Sequence, residues 1–416
     1  MTEKSRFQLS RRRLLGQAAG AALATPFLAR MSFAASDTIR IGNILDMTGP
    51  IGPGGQAVAP GMELAVKHLN DKGGVLGRQI ELVNYDTQSN MQLYTQYAQQ
   101  LALKDKVDVV FGGLTSASRE AIRPIFDRFK MLYFYNVLYE GGVCDRNTFC
   151  TGTTPAQTVL PLVEDTAKRF GKKVYIIAAD YNYGHITAKW MQNGVLDNGG
   201  EVVGTDFFPL DVTNFSSAIA RIQAANPDYV LAALVGANHL GFYRQWEAAG
   251  LLAKIPLASS NFGVNSEIIT LEPQTTNGIV AAGGYFDSID TPESNAFLEE
   301  VTPMLPPSTA CTEITVSSYE AMMLYAQALE KAGTTDRMKV IEALESGLEF
   351  VGPSGKVTLD PKTHHTVRSA FIAEAKDGKW DIQKRLSDVA PADTAAVCDL
   401  IANPKTNKQF VVDTKM

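Results

Sequence analysis

Two tyrosines spaced two residues apart close an apolar run: VYIIAAD at 174–180 is followed by Tyr181, Asn182, Tyr183 and Gly184. On an extended backbone, residues i and i+2 share a face, so both rings fall on one side of a strand's tip. A phenol is a flat apolar ring with one polar end, and a pair of them can enclose a small planar molecule. A packed core pair is the alternative. The apolar residues stop at Ala179, however, and Gly184 punctuates the next turn, which favours the wall of a cleft. Asp180 beside them reads first as a helix cap, with a ligand counterion or a hinge-side salt bridge as the alternatives. Oxygens at Asp180 and Asn182 resemble the start of a calcium loop. Gly184 comes one position early and Met191 stands where a bidentate Glu is needed, so that reading is rejected. Ser116, in GGLTSAS, stands where a strand gives way to a helix. It either caps the helix or meets a molecule at the helix N-terminus. Both are satisfied if Thr115 caps and Ser116 points outward.

Catalytic patterns are missing. There is no Gly-x-Ser-x-Gly, no phosphate-cradling loop with Lys and Ser/Thr, and no His-Glu-x-x-His. GPIGPGG (49–55) reads as a flexible turn ahead of a helix over 55–71. His68, His185, His239 and the pair His364-His365 have the isolated placement of structural or exposed histidines. An exported amidase would need a nucleophile and an acid/base partner, and none can be named. Arg119 and Arg123, one and two turns into the helix after Ser116, are expected to face solvent or an acidic neighbour. Glu140 is expected to hold the turn in YEGG, with acceptance from a ligand NH₂ group as the lesser alternative. No Arg or Lys stands among the cleft candidates, which points to an uncharged solute rather than a carboxylate or phosphate.

The elements that must position these residues follow from the whole chain. Of its 416 residues, the first 34 read as a twin-arginine export signal. SRRRLLG (10–16) precedes a short Ala-rich apolar stretch, and SFAA ends in a small-x-small cleavage site at Ser32 and Ala34. Removing six Lys/Arg and one Glu with it lowers the net charge from −6 to −11. An acidic chain without a basic run argues against nucleic acid or anionic membrane as partner. No later stretch has membrane-spanning length, so the mature chain is expected to be periplasmic, with no direct membrane insertion. Four cysteines in an exported protein can form two disulfides. Cys144 and Cys150 can close a small loop, leaving Cys311 and Cys398 as a second pair, but three connectivities remain open. No histidine lies near these cysteines, and no metal or cofactor is expected.

Strand-like and helix-like segments alternate. TIRIGNIL, QIELVNYD, VDVVFGG and MLYFYNV form one set with helices between them; KVYIIAAD, EVVGTDFF and DYVLAALVG begin a second. The near-continuous apolar strands imply parallel sheets buried on both faces. The sets echo each other: 107–129 and 227–250 share the plan Asp, apolar strand, Gly, small polar residues, amphipathic helix. In doubly wound sheets, ligands sit beyond the carboxyl ends of the strands, so two facing lobes would share one cleft. The last third is less regular and closes in hairpins around Asp377-Gly378.

In order along the chain, GMELAVKHLNDKGGVLGRQIELVNYD (61–86), VVFGGLTSASREAIRPIF (109–126), YEGG (139–142), ADYNYG (179–184) and GYFDSIDTPESNAF (284–297) resemble the periplasmic solute-binding proteins with the leucine/isoleucine/valine-binding fold. The likeness spans the mature chain and is greatest to the urea and short-chain amide branch, which includes the bacterial amide receptor. It implies an α/β, bilobed type I periplasmic-binding-protein fold: two doubly wound parallel-sheet lobes joined by a multi-strand hinge. On that reading lobe 1 is 35–156 plus 287–352, and lobe 2 is 157–286 plus 353–416. It further implies a non-catalytic receptor that closes over one small neutral polar solute, urea or a short-chain amide, and delivers it to the permease and ATPase subunits of an ABC importer. A branched-chain or other amino acid is the alternative, and a periplasmic amide sensor is a lesser one. Carried over residue by residue, the resemblance assigns ligand contacts to Leu114, Thr115 and Ser116, to Tyr135 and Val137, to Tyr181 and Tyr183, to Val235, Gly236 and Asn238, and to Asn261. Amide-binding relatives carry Pro-Thr-Pro where this chain has Asn136-Val137-Leu138, which exchanges a hydroxyl for a more apolar wall.

Overall fold

The computed structural model describes residues 38–236 and 238–415, with the side chains of Asn238 and His239 excepted. The expected export signal at 1–34 lies outside the described residues. Among the described residues, no helix is long and apolar enough to cross a membrane.

The chain first builds β1 (Ile39–Leu45), α1 (Gly52–Asp71), β2 (Ile80–Asp86), α2 (Met91–Gln100), β3 (Val109–Gly112), α3 (Ser116–Phe129), β4 (Leu132–Tyr135), β5 (Val143–Asp145) and β6 (Thr148–Cys150). It then repeats the plan with α4 (Val159–Arg169), β7 (Lys173–Ala179), α5 (Asn182–Asp197), β8 (Glu201–Phe208), α6 (Ser216–Ala225), β9 (Tyr229–Ala233), α7 (Asn238–Ala248), β10 (Leu257–Ser259) and β11 (Val280–Gly283). The first sheet is parallel, in the order β2-β1-β3-β4-β6. The parallel part of the second, β8-β7-β9-β10-β11, has the same order. Each sheet therefore reverses direction between its first and third strands, and the crevice beyond the carboxyl ends there is where such sheets hold ligands. β3 is buried throughout, and β7 is buried from Val174 to Ala179, as strands covered on both faces must be.

This is the α/β type I periplasmic-binding-protein fold, with its parallel sheets in two lobes. The second sheet is extended by antiparallel strands: β14 (Thr366–Lys376) joins β11, and β15 (Lys379–Val389), β13 (Gly355–Leu359) and β12 (Glu349–Gly352) complete it. A helix over 313–332 packs against α1 above the first sheet, where Tyr325 meets the stacked rings of Phe111 and Phe134 edge-on. The helix after β1 begins at Gly52, so the Gly-rich segment is its first turn, with Pro53 inside it, rather than a turn ahead of residue 55.

Two further sequence expectations are corrected. Residues 353–416 do not stay together in the second lobe: β16 (Asn407–Gln409) pairs with β5 of the first lobe. The disulfide is Cys144–Cys398, and Cys150 and Cys311 are unpaired and buried. Pairing with β16 brings the tail to Cys144, whereas Cys150 lies in β6 alongside Tyr135 of β4 and turns into the core. Burial raises both thiols, that of Cys150 to about 12, so neither is poised to react.

Where the chain passes between lobes, Cys150 bridges to His365. The His365 ring is buried, with Nδ1 2.8 Å from the Thr363 carbonyl and Nε2 against the Tyr139 hydroxyl. The carbonyl can only accept, so Nδ1 carries the proton and Nε2 accepts from Tyr139. Burial lowers the His365 pKa to about 4, below the usual value near 6.5. His364, stacked on Phe149, is lowered for the same reason. A buried neutral imidazole stabilises the fold fully above pH 6.5, and that stability is lost as the unfolded chain takes up the proton on acidification. Between pH 6.5 and 4, His365 alone is expected to lower unfolding free energy by about 1.4 kcal/mol per pH unit, roughly 3 kcal/mol in all. Chemical unfolding across this window checks it, and His365→Gln should flatten the slope.

Candidate functional site

Four strand tips at the two reversal points, those of β1, β3, β7 and β9, converge on one space between the lobes. A cavity of about 50 Å³ lies there, lined from the first lobe by Ile51, Leu114, Thr115, Ser116, Tyr135, Val137 and Leu138. Tyr181, Tyr183, Val235, Asn261, Val264, Asn265 and Ile314 complete the lining. A space of this size suits only a small molecule. No charged side chain is among these residues.

The backbone at the first lobe's tip is held rigidly. Thr115 is the N-cap of α3, accepting from the Ser118 N–H at 3.1 Å, which frees Ser116 to face the cavity. The Leu114 peptide is clamped on both sides: its N–H donates to the Tyr94 hydroxyl at 3.2 Å, and the Tyr135 hydroxyl donates to its carbonyl at 3.1 Å. Tyr94 in turn donates to the buried Asp46 at 2.6 Å. Burial raises the Asp46 carboxyl, while hydrogen bonds from Thr87, Tyr94 and Ser89 pull it back.

Behind this loop lies a buried charge cluster. Arg119 has no solvent exposure and donates through Nη2 to Glu140 at 2.7 Å and through Nε to Glu120 at 2.9 Å. Its guanidinium lies over the rings of Tyr135 and Tyr139, 4.9 and 4.6 Å from their centroids. Arg123 pairs with Glu120 and Asp145. Both arginines thus take acidic neighbours inside the protein, and neither reaches the cavity wall. Glu140 also accepts from Gln409 and from the Ser116 hydroxyl, so it anchors the loop as well as its own turn.

The Ser116 proton is directed to Glu140 and the Tyr135 proton to Leu114. Towards the cavity both oxygens therefore offer lone pairs. The N–H groups of Ser116 and Ala117, in the first turn of α3, have no intrahelical acceptor and are donors. Ser116 lines this cavity and Ala117 the neighbouring space past Thr115 and Tyr181, so beside the hydroxyl acceptors the Ser116 N–H is the nearest backbone donor.

In the second lobe, Gly184 lets α5 start close against β7: a Cβ there would stand 1.9 Å from the Ala179 carbonyl oxygen. This sharp turn carries Tyr181 and Tyr183 to the cavity with ring centroids 6.0 Å apart. Asp180 does not cap the helix; its carboxylate meets His185 Nε2 at 2.8 Å. Further along α5, the Trp190 indole N–H donates to the Glu140 carbonyl at 3.1 Å, linking the lobes.

Nine of the eleven residues expected at the ligand line this one cavity. Gly236 lies outside it, in a neighbouring space beside Ile51, because the β9 tip turns away after Val235. The side chain of Asn238 lies outside the described residues. Asn261 lines the wall, but its amide is spent inside the protein, donating to the Leu234 carbonyl at 2.7 Å and accepting from Ser259 at 3.0 Å. Sequence reasoning missed Ile51, Leu138, Val264, Asn265 and Ile314. Ile51 alone carried a signal: it follows β1, one of the two strands flanking the reversal point.

A family model described as periplasmic binding protein matches residues 38–379. The chain belongs to that family, whose members are the solute-binding components of ABC transporters. It is similar to the Leu/Ile/Val-binding protein homolog 6 of Brucella melitensis biotype 1, with 26% identity over 372 residues, covering 86% of this chain and 94% of that protein. Among solved structures it resembles the solute-binding protein of an ABC transporter from Rhodopseudomonas palustris HaA2 in complex with p-hydroxybenzoic acid, at 25% identity and TM-score 0.78, covering 86% of this chain and all of that one. The leucine-binding protein LivK of Thermotoga maritima shares the fold, with 22% identity, TM-score 0.76 and coverage of 84% and 99%.

Proposed function

We propose that this periplasmic binding protein captures a small neutral polar solute, urea or a short-chain amide, and delivers it to the permease and ATPase of an ABC importer. The commitment of the Ser116 proton to Glu140 is the observation that carries this reading. A primary amide offers N–H to the Ser116 oxygen and its carbonyl to the open N–H groups of α3. A carboxylate would set a second anion against the lone pairs of Ser116 and Tyr135, with no cationic side chain among the described residues of the wall to offset its desolvation. An α-amino acid would further need a partner for its ammonium group, and no carboxylate is among the described residues that line the cavity. Ile51, Val137, Leu138, Val264 and Ile314 suit a hydrocarbon body, and Tyr181 and Tyr183 suit a planar one.

The second reading is an aromatic or branched carboxylic acid. It is favoured by that apolar wall and by p-hydroxybenzoic acid in the Rhodopseudomonas relative. Calorimetry on isosteric pairs separates the two: benzamide with benzoate, isobutyramide with isobutyrate, with urea, acetamide and leucine alongside. The amide of each pair is expected to bind roughly 10- to 100-fold more tightly, the cost of one unpaired buried polar contact. Tighter binding of the acids, or of leucine, would overturn the amide reading. Hydrolysis of any amide would instead revive the exported amidase. Export by the twin-arginine route rests on the motif at 10–16; changing Arg11, Arg12 and Arg13 to lysine should then hold the precursor in the cytoplasm, and normal export would exclude that route.

A further inference from the structure

The segment GPIGPGG at 49–55 carries one side chain larger than proline, that of Ile51. Its backbone is fixed at the start of α1, where the Ile51 N–H donates to Ser89 Oγ at 3.1 Å. The side chain is 7% exposed and borders three spaces at once. One is the inner cavity of about 50 Å³. A second, of about 110 Å³, runs past Thr115 and Tyr181 towards Met91 and Leu210. The third, of about 280 Å³, lies on the far side, beside Gly236 and Leu240. The inner and second spaces also share Thr115 and Tyr181, so Ile51 stands between two rooms with common walls. Gly236 faces it across the lobes: a Cβ at Gly236 would stand 3.3 Å from Ile51 Cδ1, and the backbone there has φ +79°.

We propose that Ile51 sets the length of the bound solute. Its side chain ends the inner cavity, and an apolar arm longer than that cavity must displace it to reach the space under Leu210. The carboxamide head group rests on the reading above; the role of residue 51 does not. Two parallel series test it, straight-chain primary amides from acetamide to octanamide and the matching carboxylates, titrated calorimetrically into the mature full chain and its Ile51→Val and Ile51→Ala variants. In the wild type, affinity should rise about fourfold per methylene until the arm meets Ile51. It should then fall by roughly 10- to 200-fold at the next methylene. In Ile51→Ala the break should move to a chain at least two carbons longer, with Ile51→Val between. A break at the same length in all three proteins, or no break in the wild type, overturns the proposal. If only carboxylates bind, the head-group reading fails and the length profile is read in that series. If neither series binds any of the proteins, both fail. Should Ile51→Ala not fold, as judged by its thermal transition, the shift in Ile51→Val decides.

Discussion

Arg119→Met is expected to destabilise the protein by about 3–5 kcal/mol, measured as a fall in the midpoint of chemical unfolding at unchanged slope. Arg119 is fully buried, and Glu140 is 1% exposed. Methionine fills much of the volume but leaves the Glu140 carboxylate without its ion-pair partner in a dry environment, where desolvation costs most. The loss should reach the solute site as well, because Glu140 holds Ser116, Gln409 and, through its carbonyl, Trp190 of the other lobe. The double change Arg119→Met with Glu140→Gln removes both charges and should recover a substantial part of the stability. A single-variant cost below about 1 kcal/mol, within the range of an exposed pair, would show that the cluster is hydrated.

Cys398→Ser is expected to cost about 2–5 kcal/mol, the usual range for removing a native disulfide. The bond closes a sequence separation of 254 residues, so its loss restores much freedom to the unfolded chain. It also releases one end of the tail. Beyond Cys398, β16 pairs with β5, Asn407 meets Arg123 and Gln409 meets Glu140, and then Asn193 on α5 takes the backbone of Asp413 and Lys415. The tail therefore spans from the first lobe to the helix that carries Tyr181 and Tyr183. Unfolding in the oxidised and reduced states gives the size of the effect; equal stability in both would mean the strand pairing alone holds the tail.

How far the site can be read in advance depends on whether a residue's position follows from local pattern. Thr115, Ser116, Tyr181 and Tyr183 stand where apolar strands give way to helix starts, and the α/β alternation brings such tips to a common crevice whatever the details of packing. Ile51 follows the same rule, but its Gly- and Pro-rich neighbours look like a flexible turn, and the helix start hidden among them conceals that its one side chain is fixed. Ile314 and Val264 come from segments outside the repeated plan, and their position is set by lobe-to-lobe packing with no periodicity to reveal it. Arg119 and Glu140 are each readable as charged surface residues; their burial follows from the loop after β4 folding back over α3. The cysteine pairing fails for a related reason. Closeness in sequence favours Cys144 with Cys150, yet the consecutive strands β5 and β6 join different sheets and bury the two side chains in different clusters, and only the return of the tail supplies Cys398.

The most direct test is a crystal structure of the mature protein grown with a primary amide such as benzamide or isobutyramide. The amide group should lie between the N-terminus of α3 and the rings of Tyr181 and Tyr183, its N–H within hydrogen-bond distance of Ser116 Oγ. Density for the amide elsewhere on the molecule, or an anion in this gap held by a repositioned Arg119, would contradict the account.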